Sequence, residues 1–122
     1  MQDLNKDTLV SLLWSLYEAL QLLECSTSVA EECENRVSAM GQLVDAYETD
    51  YARKVMALQD GLREKDSILV EELLATRAKV LDARVRMAAA QEQEKLADAH
   101  KREDVLKVRS LRESVQKALS LD

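Results

Sequence analysis

One histidine, two cysteines and twenty-three carboxylates are the side chains through which this chain could do chemistry. His100 is the only candidate imidazole base, and it sits in the polar stretch 91–104 with no nucleophile patterned beside it. It reads as a solvated residue on a helix surface. Cys25 and Cys33 are eight residues apart, a little over two helical turns and too far for a mutual disulfide. With no CxxC and no histidine near them they lack a zinc ligand set. They read as small packing residues and as thiols of an intracellular protein, cytoplasmic or nuclear. The carboxylates fall on a face that the pattern leaves in water, where nothing desolvates a pair for acid–base work. There is no glycine-rich phosphate loop, no GxSxG and no HExxH. The expectation is a non-enzyme without cofactor or metal.

Charge offers a second kind of site. Residues 1–60 hold four basic and eleven acidic side chains, and residues 61–122 hold thirteen and twelve. The net charge of −6 therefore speaks against attraction of the whole chain to nucleic acid or anionic membrane. Two local basic runs remain, Arg77, Lys79, Arg84 and Arg86, then Lys101, Arg102, Lys107, Arg109, Arg112 and Lys117. Arg84, Arg86, Lys101, Arg102, Lys107 and Arg109 form a candidate basic face that could lie along an acidic polymer such as a microtubule. The aromatics that stack on bases are missing there, so nucleic acid is the weaker partner.

Helices must carry all of these side chains. The chain has no Pro and no Phe, two Gly, and one-third charged residues, with Ala, Leu, Glu, Lys, Arg, Val and Gln dominant, the mixture of coiled coils and long helices. The fold class expected is all-α. The stretch from Met40 to Val80 organises it. Its large apolar residues are Met40, Val44 and Tyr47, then Tyr51, Val55 and Leu58, then Leu62, Leu69, Leu73 and Val80. They recur every eleven residues, about 3.67 per turn, and so stay on one face of a long helix. With Met87 they form a candidate self-association seam. From Leu69 the spacing also fits seven residues, through Leu73, Thr76, Val80, Ala83, Met87 and Ala90. A stripe returns at Val105, Val108, Leu111, Val115, Ala118 and Leu119. Residues 91–104 are the weakest part of it.

The expected boundaries follow from local signals. Asn5, Asp7 or Thr8 would cap a first helix reaching about residue 25. That helix is apolar nearly all round and includes Leu9, Leu13, Trp14, Leu16, Tyr17 and Leu20, a candidate partner-binding helix, although Trp14 and Tyr17 read first as bundle core. Cys25-Ser26-Thr27-Ser28 reads as a break, because hydroxyl side chains compete for backbone bonds, and Ser28 with Glu31 fits a capping box. The layout expected is a helix over 1–25, a turn at 26–28, and a long coiled-coil helix over 29–120 with the first helix folded back on it as a hairpin. One uninterrupted helix through 26–28 is the alternative there. The chief rival layout is a kink or second hairpin at 60–67, around Asp60-Gly61. Acid-before-base pairs four residues apart, such as Glu32–Arg36, Asp50–Lys54, Asp82–Arg86 and Asp98–Arg102, support the outer face.

A helix of about ninety residues would run on the order of 140 Å, more than a helix of twenty-five can cover. Its stripe would then need another chain. Asp66 and Arg77 on the stripe favour antiparallel over parallel pairing, since in register each would meet its own charge. The apolar run 9–23 is too short and too polar to span a bilayer. The helical pattern runs almost to Asp122, which suggests a piece of something longer. The sequence thus points to a coiled-coil oligomerisation or scaffold module of a cytoskeletal or kinetochore-like assembly, a homodimer or a hetero-oligomer with other helical proteins. Its alternatives are a helix docking on a microtubule and a helical-bundle adaptor in membrane trafficking.

Overall fold

The computed structural model describes the backbone of residues 2–60 and 66–120 and the side chains of 6–59 and 67–120. All of it is helix. Helix α1 is Gln2–Asp60 and helix α2 is Asp66–Ser120. The two pack against each other as a helical hairpin. No helix among the described residues is long and apolar enough to cross a membrane.

The chain divides into two compact units, one of Cys33–Glu94 and one of Met1–Glu32 with Lys95–Asp122. Within Cys33–Glu94, α1 and α2 run antiparallel. Arg36 reaches Gln93, Glu48 reaches Arg84, and Lys54 reaches Thr76, so partners ascend on one helix as they descend on the other. The inward positions of α2 are Leu69, Leu73, Thr76, Val80, Ala83, Met87, Ala90 and Glu94. Their steps alternate four and three, which averages 3.5 residues per turn and keeps one narrow seam facing the neighbour. On α1 the same alternation runs through Cys33, Val37, Met40, Val44, Tyr47 and Tyr51, after which Lys54 and Val55 share one turn of the seam before Leu58. Val44, Val80, Ala83 and Ala90 are buried, Ala83 most completely at 1% exposure. Among the described residues no large side chain is fully enclosed, because each helix of a pair has one neighbour only.

In the other unit the inward residues of α1 are Leu9, Leu12, Leu16, Ala19, Leu23, Ser26 and Ala30. Those of α2 include Ala97, Lys101, Asp104, Val108, Leu111, Val115 and Ala118. The C-terminal stripe expected from sequence turns inward except for Leu119, which is exposed.

Two expectations are corrected. No turn forms at 26–28. Helix α1 passes straight through Cys25-Ser26-Thr27-Ser28. Ser26 faces the seam, where its hydroxyl lies 2.9 Å from the Leu22 carbonyl oxygen, one turn back, and against the Asp104 carboxylate. Its one proton can go to either acceptor, so the group that would have broken the helix is satisfied inside it. Ser28 and Glu31 are exposed within the helix, not joined at its start, and α1 begins at Gln2, ahead of the expected caps Asn5, Asp7 and Thr8. The expected single long element over 29–120 is also corrected, because its described parts in α1 and α2 pack antiparallel within Cys33–Glu94, and residues 1–25 do not fold back on the residues that follow them. They pack with 95–122. The stripe that was expected to need another chain is covered by the same chain. The rival break, with Gly61 and Leu62, falls in residues 61–65, outside the described residues, as does the Asp66 side chain.

Gly41 borders the seam, yet a Cβ there would meet only the Met87 Cε, at 3.7 Å, an ordinary contact. Close approach does not demand glycine. Gly41→Ala is therefore expected to raise stability by about 0.5–1 kcal/mol through helix propensity. A thermal melt followed by circular dichroism would read it, and a lower midpoint would show that the helices need the missing methyl's space.

Candidate functional site

The residues singled out for association separate onto two kinds of surface. Of the candidate seam, Val44 and Val80 are buried, and Met40, Tyr47, Tyr51, Val55, Leu58, Leu69, Leu73 and Met87 are half-buried. They face the chain's own second helix. The candidate N-terminal helix splits. Leu9, Leu16 and Leu20 are half-buried, while Leu13, Trp14 and Tyr17 stay in water. Trp14 and Tyr17 are thus not bundle core. Trp14 is 65% exposed. The two rings meet edge to face with centroids 5.9 Å apart, and Gln21 Nε2 donates to the Tyr17 hydroxyl at 3.1 Å. Val10, Leu13, Trp14 and Tyr17 line one shallow apolar surface on α1. Their spacing of three, one and three is that of a single helical face.

A comparable surface lies on α2 in the Cys33–Glu94 unit. Val70, Leu74, Leu81 and Val85 are all exposed. At 100° per residue they fall within about 60° of one another, on a face beside the seam, and Leu81 shares a groove with Tyr51 and Val80. In the sequence this stripe is hidden by the stronger periodicity of the seam. The signal was the four–seven–four spacing of these residues, running beside the seam.

Polar groups fix how the helices meet. Arg84 places Nε and a terminal nitrogen on one Glu48 oxygen at 3.0 and 2.6 Å, across the pair. Arg36 donates to Gln93 at 2.9 Å instead of closing on Glu32. Thr76 is buried at 3% exposure. Its oxygen accepts from Lys54 Nζ at 2.8 Å and donates to the Glu72 carbonyl at 2.8 Å, so a buried hydroxyl is fully paired. Lys54 also reaches Asp50 at 3.1 Å, and Arg53 reaches it at 2.9 Å.

The hydrogen bond from Lys54, with the charges of Lys54 and Arg53, outweighs desolvation and holds the Asp50 carboxyl below its ordinary range. A depressed folded-state pKa means that this carboxylate favours the folded form above its unfolded pKa. The contribution is lost as pH falls through the lowered folded value, and so only in acid. Lys54→Met is expected to move the Asp50 titration midpoint upward, as read by carboxyl carbon NMR. An unmoved midpoint would deny Lys54 that role.

The basic face is partly neutralised. Arg84 is held by Glu48 and Arg86 by Asp82 at 3.3 Å. Lys101 is half-buried toward the seam, while Arg102, Lys107 and Arg109 are exposed. Arg77 is exposed at a shallow groove with Glu48, Tyr51, Leu81 and Arg84. His100 is exposed, Cys25 is an exposed thiol and Cys33 a buried one. Among the described residues no three His, Cys, Asp or Glu side chains converge as a metal site would require. No protein-family model matches the sequence, and no curated protein or solved structure is significantly similar to it.

Proposed function

We propose that this chain is a non-enzymatic, coiled-coil oligomerisation and scaffold module that joins other helical chains in a larger assembly of the cytoskeletal or kinetochore kind. One observation carries the reading. After α1 and α2 have packed, large apolar side chains remain in water as ordered faces, Val10, Leu13, Trp14 and Tyr17 on one helix and Val70, Leu74, Leu81 and Val85 on the other. Scattered apolar residues are normal on a surface, whereas faces at helical spacing suit helical partners. The seven-residue spacing of the inner seam supports the coiled-coil description. Light scattering over a wide concentration range tests it. The expected result is a mass that rises above that of one chain, and a single-chain mass throughout would sink the proposal.

The aromatic face favours a second reading, a helical-bundle adaptor of the membrane-trafficking kind in which α1 receives a different protein. Trp and Tyr are the residues that most often anchor interfaces. Trp14 is the only tryptophan, so its emission separates the two. A blue shift that accompanies self-association means copies bury the face among themselves. Emission that stays red while mass rises leaves the face open for another chain. The acidic-polymer reading draws less support, since Arg84 and Arg86 are already paired.

A further inference from the structure

We infer that copies of this chain join through the unit of Met1–Glu32 with Lys95–Asp122, the outward face of α1 in one copy packing on the outward face of α2 in the next. This rests on the oligomerisation reading and supplies its partner and its surface. The two faces are opposite in charge. Away from the seam α1 exposes Asp7, Glu18, Glu24, Glu31 and Glu32 along the helix that carries Trp14 and Tyr17, and Lys6 is the one base among them. No other base occurs before Arg36. On α2 the outward residues are Lys95, Arg102, Leu106, Arg109, Glu113 and Lys117, all exposed. At 100° per residue these fall within about 80° of one another, on the side opposite the buried Val108 and Val115. The ion pairs among the described residues all lie within Cys33–Glu94, so none of them neutralises either face. An acidic face repels an anionic membrane and also the same face of a second copy. The α2 face of that copy has the opposite sign and a large apolar residue at its middle.

The faces match in register when the two helices run antiparallel with Leu106 on Trp14, side chains that are 60% and 65% exposed. Arg102 lies four residues before Leu106 and Glu18 four after Trp14, so the two come level. Lys95 lies eleven before Leu106, and Glu24 ten after Trp14. The exceptions answer each other too. Glu113, the acid on the basic face, is seven after Leu106, and Lys6, the base on the acidic face, is eight before Trp14. One residue is about 1.5 Å of helix, so each pair is level to within a side chain's reach. A parallel arrangement about the same Leu106–Trp14 contact loses the matches of Arg102 with Glu18 and of Glu113 with Lys6. Since the two outward faces point oppositely from their seam, one contact leaves a free acidic face on one copy and a free basic face on the other. Such a heterologous interface adds copies without stopping at two.

Charge reversal on the full chain tests this. Glu18→Lys with Glu24→Lys turns the contacting part of α1 basic, and Lys95→Glu with Arg102→Glu turns that of α2 acidic. All four residues are exposed, so circular dichroism melts should match those of the unsubstituted chain. Light scattering should show association weakened about tenfold or more in each variant alone. An equimolar mixture, combined without unfolding, should regain the mass of the unsubstituted chain, because each variant's altered face then meets the other's. Trp14 emission should turn blue in step with mass, and mass should fall as sodium chloride is raised. A mixture no heavier than its components overturns the pairing of these faces. So does a mass that stops at two chains, or emission that stays red as mass rises, which would leave the α1 face to a foreign helix. Association that ignores both charge variants but is lost in Leu81→Asp places the interface on the outer stripe of α2 in the other unit. That overturns the pairing and leaves the scaffold reading standing. A single-chain mass for the unsubstituted chain at every concentration removes both.

Discussion

Ala83→Glu is expected to part the two helices of the Cys33–Glu94 unit. Ala83 is 1% exposed, on the inward face of α2 between Val80 and Met87. A glutamate there must lose its water. Two basic side chains on the pairing face, Arg84 and Lys54, are already committed to Glu48 and to Asp50 with Thr76. An unpaired buried charge costs about 3–5 kcal/mol. A domain of this kind has about 5–15 kcal/mol in total, and a single seam without fully enclosed large side chains belongs at the low end. Thermal unfolding should fall by tens of degrees or lose its cooperative transition. Val85→Glu, two residues on, is the control. Val85 is 68% exposed, on the outward stripe, so its replacement should move stability by no more than about 0.5 kcal/mol. Equal melting of both variants would mean that the inward and outward faces of α2 have been exchanged.

That contrast between neighbours also says what could be read in the residues alone. The inward face of α2 was legible. Leu69, Leu73, Thr76, Val80, Ala83, Met87 and Ala90 follow a seven-residue spacing in the sequence and are the residues that turn inward. Here the outer face between them is mostly charged or alanine, so periodicity had little competition. In the first half of α1 the same spacing exists, at Leu9, Leu12, Leu16, Ala19 and Leu23, but Val10, Leu13, Trp14, Tyr17 and Leu22 fill the gaps. With apolar residues on both faces, hydropathy has no contrast and the seam disappears into it. Ser26 keeps its place in the helix for another reason. A hydroxyl breaks a helix only when it lacks a better partner, and its partners here are a carbonyl one turn back and a carboxylate seventy-eight positions away. No local window contains Asp104. The all-α class needed only composition, the fold-back needed to know which break was real, and the two outward faces needed the inner seam to be assigned first.

The Ser26–Asp104 contact is itself the place where the pairing of residues 1–32 with 95–122 should be easiest to strengthen. Both side chains face inward, Ser26 buried and Asp104 half-buried, on helix faces that also carry Leu23, Ala30 and Val108. Asp104→Leu alone leaves Ser26 its Leu22 acceptor at 2.9 Å, so no donor is stranded and apolar surface is gained. Ser26→Ala alone instead removes the donor from a half-buried carboxylate, which costs about 1–3 kcal/mol. The double variant replaces a polar contact by a small residue facing a large one, the arrangement that fills a seam well. It should exceed the wild type by about 1–3 kcal/mol. A coupling of opposite sign to the single Ser26→Ala loss should appear in the double-mutant cycle. Independent, additive effects would show that the hydroxyl and the carboxylate do not meet. The gain should carry a penalty in uniqueness. A polar pair inside a seam is satisfied in one register only, whereas leucine on alanine tolerates a slip of one repeat. Mass distributions of the double variant should therefore broaden as its melting temperature rises. A chain that becomes more stable and stays equally uniform would show that register is held elsewhere, by Glu48 with Arg84 and Lys54 with Thr76.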